Sequence, residues 1–249
     1  MPFDVGGNIW NGAMASVHDY RSIITRGLVL HYDAGTVESY PGSGTTWSDL
    51  SGNGLDGTLT NGPTFNSGNG GSLKFDGSND YIECGDVYAA DQMTLCVWTR
   101  LDLVPASQAS GYPQLFGKRD VDTQRSYFLS FDGANKLYWE IKDAGGVYYI
   151  QYSTKTDWVV DTWYYCVATY VASTGIAKMY INGVEDAGTF SPSQPWSLDP
   201  IPDTSATCRI GGGNYHLDGD IGNALFYNRA LSAKEVSQNF NAQRSRFGV

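Results

Sequence analysis

The sequence predicts an all-β protein: a two-sheet antiparallel β-sandwich of jelly-roll type, closed by one short C-terminal helix. Three observations predict it. Short runs rich in Val, Ile, Tyr, Trp and Thr recur along the chain between clusters of Gly, Asn, Asp and Pro, which is the pattern of strands separated by turns. The acids are skewed, 21 Asp against five Glu; Asp accepts hydrogen bonds from nearby N–H groups in turns, whereas Glu suits exposed helix faces. Strong helix signals gather only at the carboxyl end.

Residues 1–26 have no sustained period and form an N-terminal extension, in which Phe3, Ile9 and Trp10 are costly to leave in water. These three are the candidate assembly contact. The main domain is read as 27–249. LVLHYDA opens it at 28, and the polar tract 36–71 is pinned at intervals by Tyr40, Trp47, Leu50, Leu55, Leu59 and Phe65, so it reads as a loop-rich edge of the same domain. SLKFDG from 72 and YIEC from 81 are two short strands flanking an acidic turn. MTLCVWTRL from 93 carries apolar groups on both sides and reads as a strand covered on both faces. QLFGKR from 114 and YFLSFD from 127 follow.

In KLYWEIKD from 136, alternation gives Leu137, Trp139 and Ile141 a dry side and Lys136, Tyr138, Glu140 and Lys142 a wet one. DAGG at 143–146 reads as a hairpin into VYYIQYS. WYYCVATYV from 163 and IAKMYING from 176 are further strands, the second ending in an Asn-Gly turn. SPSQPWSLDPIPD, 191–203, reads as an ordered surface loop with Trp196 as a contact element. CRIGG from 208 and LDGDIGNALFYNR from 217 are the last strands. In ALSAKEVSQNFNAQRSRF, Ser232 and Glu235 make a capping box, with Leu231 and Val236 as the staple. Val236, Phe240 and Gln243 or Arg244 then follow one side of a helix of about three turns, expected against the edge or base of the sandwich.

The formal charge of −10 and the lack of a basic stripe disfavour nucleic acid and anionic membranes as partners. No run of 18 apolar residues suggests a membrane span, and the amino end lacks the basic start and apolar run of a secretory signal. Cys84, Cys96, Cys166 and Cys208 are too widely spaced for a structural zinc site, and Cys96 and Cys166 read as buried thiols. The protein is expected to fold in a reducing cytoplasm.

Taken together, GLVLHYDA, WSDLSGNGLDGTLTNGPTF, SLKFDGSNDYIE, MTLCVW, WYYCVATY, AKMYINGVE and IGNALFYNRALSAKEV resemble the laminin-G-like, concanavalin A-like jelly rolls over residues 27–242. The form with YPGSGTTW and NFNAQRSRFG is similar to domains of tailed-bacteriophage structural proteins. The resemblance implies a sandwich with a frequent calcium site at its rim and carbohydrate or protein ligands. It further implies a virion component made in the host cytoplasm, contacting other virion proteins or itself through residues 1–26. The alternative it implies is a calcium-dependent adhesin for host-surface glycans.

Two candidate sites follow. Asp76, Asn79 and Asp80 around Gly77, approached by Asp218 or Asp220, offer oxygens for calcium; the competing reading is a β-turn whose acids bond local N–H groups. Gly222 and Asn223 stand where many members of the resembled family carry acids. Tyr112, Tyr148, Trp158, Trp196 and Tyr215 are the candidate ring faces for a sugar, with packed or loop-anchoring roles as the alternative. A catalytic role is not expected: no E-x-D-x-E run occurs, and Glu140 and Asp143 would fall on opposite faces of a strand. His18, His31 and His216 are too scattered for a multi-histidine zinc site, and IGGGN at 210–214 lacks the lysine of a phosphate loop and is expected to permit a close sheet edge.

Overall fold

A computed structural model describes residues 22–88, 91–119, 125–196 and 201–249. Phe3, Ile9 and Trp10 lie outside the described residues. The strands are β1 (Leu28–Asp33), β2 (Thr46–Trp47), β3 (Gly57–Thr60), β4 (Thr64–Asn66), β5 (Ser72–Asp76), β6 (Tyr81–Glu83), β7 (Gln92–Leu101), β8 (Gln114–Arg119), β9 (Arg125–Phe131), β10 (Leu137–Lys142), β11 (Tyr148–Tyr152), β12 (Trp163–Val171), β13 (Ile176–Ile181), β14 (Val184–Asp186), β15 (Thr189–Ser191), β16 (Cys208–Ile210) and β17 (Asp218–Tyr227), followed by helix α1 (Ala233–Phe247).

They form two antiparallel sheets. The eight-stranded sheet runs β14-β13-β12-β7-β17-β5-β4, with β1 also paired to β17; the nine-stranded sheet runs β15-β11-β10-β9-β8-β16-β6-β3-β2. β17 is the spine of the first: residues 219–227 pair with β7 along one side, while the other side pairs first with β5 and then with β1. The tract 36–71 contributes three short strands that its polar composition concealed, β2 and β3 at one sheet's edge and β4 at the other's.

Alternation decides what each sheet buries. Tyr32, Leu73, Phe75, Leu95, Val97 and Phe226 meet Trp47, Ile82, Phe116, Tyr127, Trp139 and Ile141 in one core between the sheets, as two aligned layers require. The opposite side of the eight-stranded sheet is also apolar. Cys96, Trp98, Tyr165, Val167, Leu225 and Tyr227 point outward and are covered by Val236, Phe240 and Phe247 of α1. The indole of Trp98 stacks on Phe247, ring centroids 4.3 Å apart, and on Phe240 at 5.6 Å, and its Nε1 donates to Gln243 Oε1 at 2.7 Å.

MTLCVWTRL is thus covered on both faces as its composition requires, but α1 lies flat on a sheet face rather than at the edge or base. The physical reason is that outward row of large side chains, which water would otherwise contact. The capping box forms as read, Glu235 N–H donating to Ser232 Oγ and Ser232 N–H to Glu235 Oε2. The Asn182-Gly183 turn has positive φ at both residues, 51° and 78°, the twist a two-residue hairpin needs. A Cβ on Gly183 would meet the Phe240 ring at 3.0 Å, so a larger residue here would press on α1 as well as adopt an unfavourable positive φ. All four cysteines are buried free thiols.

Candidate functional site

The site begins with the wet side of β10. Cross-strand register places Tyr138 opposite Tyr152, Glu140 opposite Ile150 and Lys142 opposite Tyr148 on β11, with Ser130 and Phe128 of β9 on the other flank. These side chains share the outer face of the nine-stranded sheet. The Tyr138 and Tyr152 rings stack at 6.0 Å, and Phe128 meets Tyr138 edge-on at 5.4 Å. Tyr138 and Glu140 are almost wholly buried here, because neighbours on the same sheet cover them; the face is packed rather than simply wet.

Beside them the β9–β10 turn is held by Asp132, whose Oδ1 accepts from Ala134 N–H at 2.9 Å and Lys136 N–H at 2.8 Å. Tyr112 approaches from the loop before β8. Together Tyr112, Asp132, Tyr138, Glu140, Ile150 and Tyr152 line a cleft of about 320 Å³. Glu140 Oε1 accepts from Arg125 Nη1 at 2.7 Å. Burial first, and then the charge of Glu140, push the Tyr138 hydroxyl above its ordinary pKa; burial and Asp132 do the same for Tyr152. Both phenols stay protonated and can donate as well as accept.

Cations rim this face through ring contacts. Arg125 lies 4.7 Å from the Tyr148 centroid, Arg119 4.6 Å from Phe128 and 5.0 Å from Tyr215, and Lys136 5.8 Å from Tyr152. Tyr112 and Tyr215 pack at 5.4 Å. Chemically, the cleft offers flat apolar ring surface, phenol O–H groups and carboxylate acceptors within one concavity. That combination suits a small polar ligand with alternating C–H and O–H surface.

Of the five aromatics selected from the sequence, Tyr112, Tyr148 and Tyr215 fall on or beside this face. Trp158 and Trp196 are corrected: both are buried, at 4% and 3% exposure. Trp158 packs edge-on against Phe131 and Tyr164, and its Nε1 donates to Asn135 O. Trp196 packs on Tyr149 and Tyr170 with Nε1 donating to Pro192 O. The proline-rich loop therefore plugs its tryptophan into the core. Tyr152, Ile150 and Asp132 were not singled out from the sequence. The alternation in VYYIQYS was the available signal for the first two.

The acidic stretch lies elsewhere, at the end of β5. Asp76 Oδ1 accepts from Ser78 N–H at 2.8 Å and Asn79 N–H at 3.3 Å, and Asp80 Oδ2 accepts from Asp76 N–H at 3.2 Å. The Ser78 bond, the largest influence, holds the Asp76 carboxyl below its ordinary pKa, whereas burial and then Asp76 raise Asp80. Asn79 O accepts from Asn61 Nδ2 at 2.8 Å. Asp218 faces Asp76 across the β5–β17 ladder, and burial followed by Asp102 pushes its carboxyl up.

Asp220 is fully buried and engaged by Arg100 Nη2 at 2.7 Å, Arg100 Nε at 3.2 Å, Ser72 Oγ at 2.7 Å and Asn66 Nδ2 at 3.3 Å. Among the described residues no group of three or more His, Cys, Asp or Glu side chains is placed to hold a metal ion. The IGGGN segment lets the chain pass close to this turn: at Gly211, φ 75°, a Cβ would stand 2.2 Å from the Phe75 ring.

Comparison with known proteins places this architecture. The laminin-G-type family described as "Concanavalin A-like lectin/glucanases superfamily" matches residues 76–237. No curated protein sequence matches the chain. Among solved structures, the receptor-binding domain of botulinum neurotoxin C/D mosaic serotype aligns with a TM-score of 0.69 at 14% identity, over 88% of this chain and 52% of that one. The botulinum neurotoxin serotype D ligand-binding domain in complex with N-acetylneuraminic acid aligns at 0.67 and 12%, with coverages of 88% and 52%. A Trypanosoma rangeli sialidase aligns at 0.61 and 19%, with coverages of 90% and 34%.

The chain thus spans about half the length of the toxin domains and a third of the sialidase. At these identities the likeness is one of fold. The bacteriophage form suggested by YPGSGTTW and NFNAQRSRFG is not carried by these toxin and sialidase matches. Two stacked antiparallel sheets, the family match over most of the chain and the agreement in fold make this protein a member of the concanavalin A-like lectin/glucanase superfamily, of laminin-G type.

Proposed function

We propose that the outer face of the nine-stranded sheet binds carbohydrate, with the cleft between Tyr112, Tyr138 and Tyr152 as its centre. The observation that carries this reading is the convergence of three tyrosines with Asp132 and Glu140 around one concavity of about 320 Å³. Ring faces pack on sugar C–H surface while carboxylates and phenols take its hydroxyls. The neurotoxin serotype D domain, of the same fold, is seen with N-acetylneuraminic acid, which supports a glycan as the ligand class. We read the domain as a binding module rather than a hydrolase. Glu140 is tied to Arg125, and one oxygen of Asp132 is taken by two backbone amides. The cleft serves equally on a virion surface, as the phage-type resemblance suggests, or as a host-glycan adhesin.

A glycan array probed with the wild-type chain and with Tyr112→Ala and Tyr152→Ala, with and without a chelator, tests the reading. Selective signal that weakens by about tenfold or more in both variants is expected, the loss usual for a central aromatic contact. Absence of selective signal at high protein concentration, or signal indifferent to both substitutions in folded variants, overturns it.

A further inference from the structure

We propose that Cys84 and Cys208 are a disulfide pair of the oxidised protein, a covalent link between the neighbouring strands β6 and β16 on the inner face of the nine-stranded sheet. Strand register sets them opposite each other. Arg209 pairs with Glu83 and Ile210 with Ile82, so the next position brings Cys208 against Cys84, and the Cys84 N–H donates to the Cys208 carbonyl at 2.8 Å. Side chains alternate along a strand with a period of two, which puts both thiols on the side that carries Ile82 and Ile210. All four residues belong to the core between the sheets.

This geometry is within reach of a disulfide. Directly opposed residues of an antiparallel pair have Cα atoms about 4.5–5.5 Å apart, inside the range of about 4.4–6.8 Å that the bond spans. Their Cβ atoms, also about 4.5–5.5 Å apart, need to draw together by about an ångström. The backbone has room to give it. Cys208 N–H donates not to Cys84 but to the Gly85 carbonyl, at 2.9 Å, so two residues of one strand face one of the other, as in a β-bulge. Gly85 has φ 71°, and no atom lies within 4 Å of where its Cβ would stand.

The other two cysteines are placed apart. Cys96 and Cys166 sit in the eight-stranded sheet, where Cys96 opposes Val167 and Cys166 opposes Val97. Cys96 points outward beneath α1, whereas Cys166 points into the core. They therefore lie on opposite faces of their own sheet, and neither is on the sheet that holds Cys84 and Cys208.

A small-molecule disulfide such as oxidised glutathione supplies the oxidant. One cysteine thiolate attacks a glutathione sulfur and expels a glutathione thiolate; the second cysteine thiolate then attacks the mixed disulfide, forming the Sγ–Sγ bond and expelling the other glutathione. The two cysteines lose two protons and two electrons, and one glutathione disulfide becomes two thiols. Both cysteines are wholly buried in the folded dithiol form, and the thiolate is the reacting species, so the bond is made as the chain folds, before the core closes. The strands it joins lead into the loops that clasp one buried cation: Lys118 Nζ donates to Asp86 and to Asp203, two residues after Cys84 and five before Cys208. The link also closes a loop containing β7 to β15, and so removes conformations from the unfolded chain.

The test refolds the full chain from denaturant in a reduced/oxidised glutathione buffer and, separately, under a phosphine reductant. Free thiols are then blocked in denaturant, and tryptic peptides are mapped without reduction. After the glutathione buffer, peptide 75–100 should be joined to peptide 179–209, with two thiols per chain open to the blocking reagent; the reduced chain should show four. The same link should form in a Cys96→Ser/Cys166→Ser chain, which leaves Cys84 as the only thiol of its peptide. Four free thiols after the glutathione buffer, glutathione adducts without the link, or bonds to Cys96, Cys166 or a second chain overturn the proposal. A second measurement needs no substitution: the oxidised wild-type chain should melt about 5–10 °C above the reduced one, and an equal or lower melting temperature overturns it.

Discussion

Replacing Asp220 with alanine should lower stability by about 3 kcal/mol without altering the fold. Asp220 is fully buried and holds Arg100 through two nitrogens while also accepting from Ser72 and Asn66. Removing one member of a buried pair leaves the other charge uncompensated, at a cost of about 3–5 kcal/mol. The lower end applies, because the Arg100 side chain keeps 21% exposure and has Asp161 at 3.6 Å as a partial substitute.

For a chain of this length each kcal/mol moves the melting temperature by about 2–4 °C, so the fall should be roughly 6–12 °C. Urea unfolding at pH 7, followed by far-ultraviolet circular dichroism, should show a lower midpoint at unchanged slope. Asp220→Asn, which keeps one acceptor but no charge, should fall between. A shift below about 2 °C would refute the claim that this carboxylate anchors β17 to β7. So would a wild-type melting temperature that rises with millimolar calcium while the Asp220→Asn value does not, since Asp220 would then be a cation ligand rather than the partner of Arg100.

Other expectations rest on separate parts of the molecule. Phe247→Ala removes a ring stacked on Trp98 and packed 4.7 Å from Trp163; a loss of about 3–5 kcal/mol is expected, with faster hydrogen exchange along α1, and an unchanged midpoint would show that the helix end is not a seal. The Glu235 carboxyl is held at about 2, chiefly by its bond to Arg229, against an ordinary value of 4.5. A depressed carboxylate stabilises the fold fully above its unfolded pKa and loses this as pH falls toward its folded one. Arg229→Met should therefore flatten the decline of stability between pH 5 and about pH 2, and a parallel decline in the two proteins would contradict this. Burial pushes the Cys96 thiol up to about 12, and all four thiols are enclosed. A thiol reagent at pH 8 should label none in the folded chain and all four in denaturant; rapid native labelling would show that the core opens.

Particular residues show what was legible before folding. Leu137, Trp139 and Ile141 could be assigned to the core because alternation has a period of two whatever the partner strand. Ser232 and Glu235 could be named as a capping box because both bonds are local. The double covering of β7 was legible from apolar groups on both of its faces. Trp158 and Trp196 misled because a tryptophan in a loop can point either way, and only the position of the core relative to the loop settles which. The strands β2, β3 and β4 were hidden because brief edge strands among Gly and Asn carry too few side chains to show a period. The cleft was half visible: Tyr138 and Glu140 were on the outward side of β10 and alternation in VYYIQYS was a signal for Ile150 and Tyr152, while Asp132 had no signal of its own.

By itself, then, the sequence determined the all-β class, the inward sets of its longer strands, and the terminal helix with its cap. All of these depend on contacts a few residues apart or on periodicity within one segment. Only the tertiary structure decided that α1 lies over Trp98, that Arg100 claims Asp220 from 120 residues away, and that three tyrosines meet two carboxylates in one cleft. Those arrangements depend on strand order and cross-strand register, which bring distant segments together and leave no mark in either segment alone.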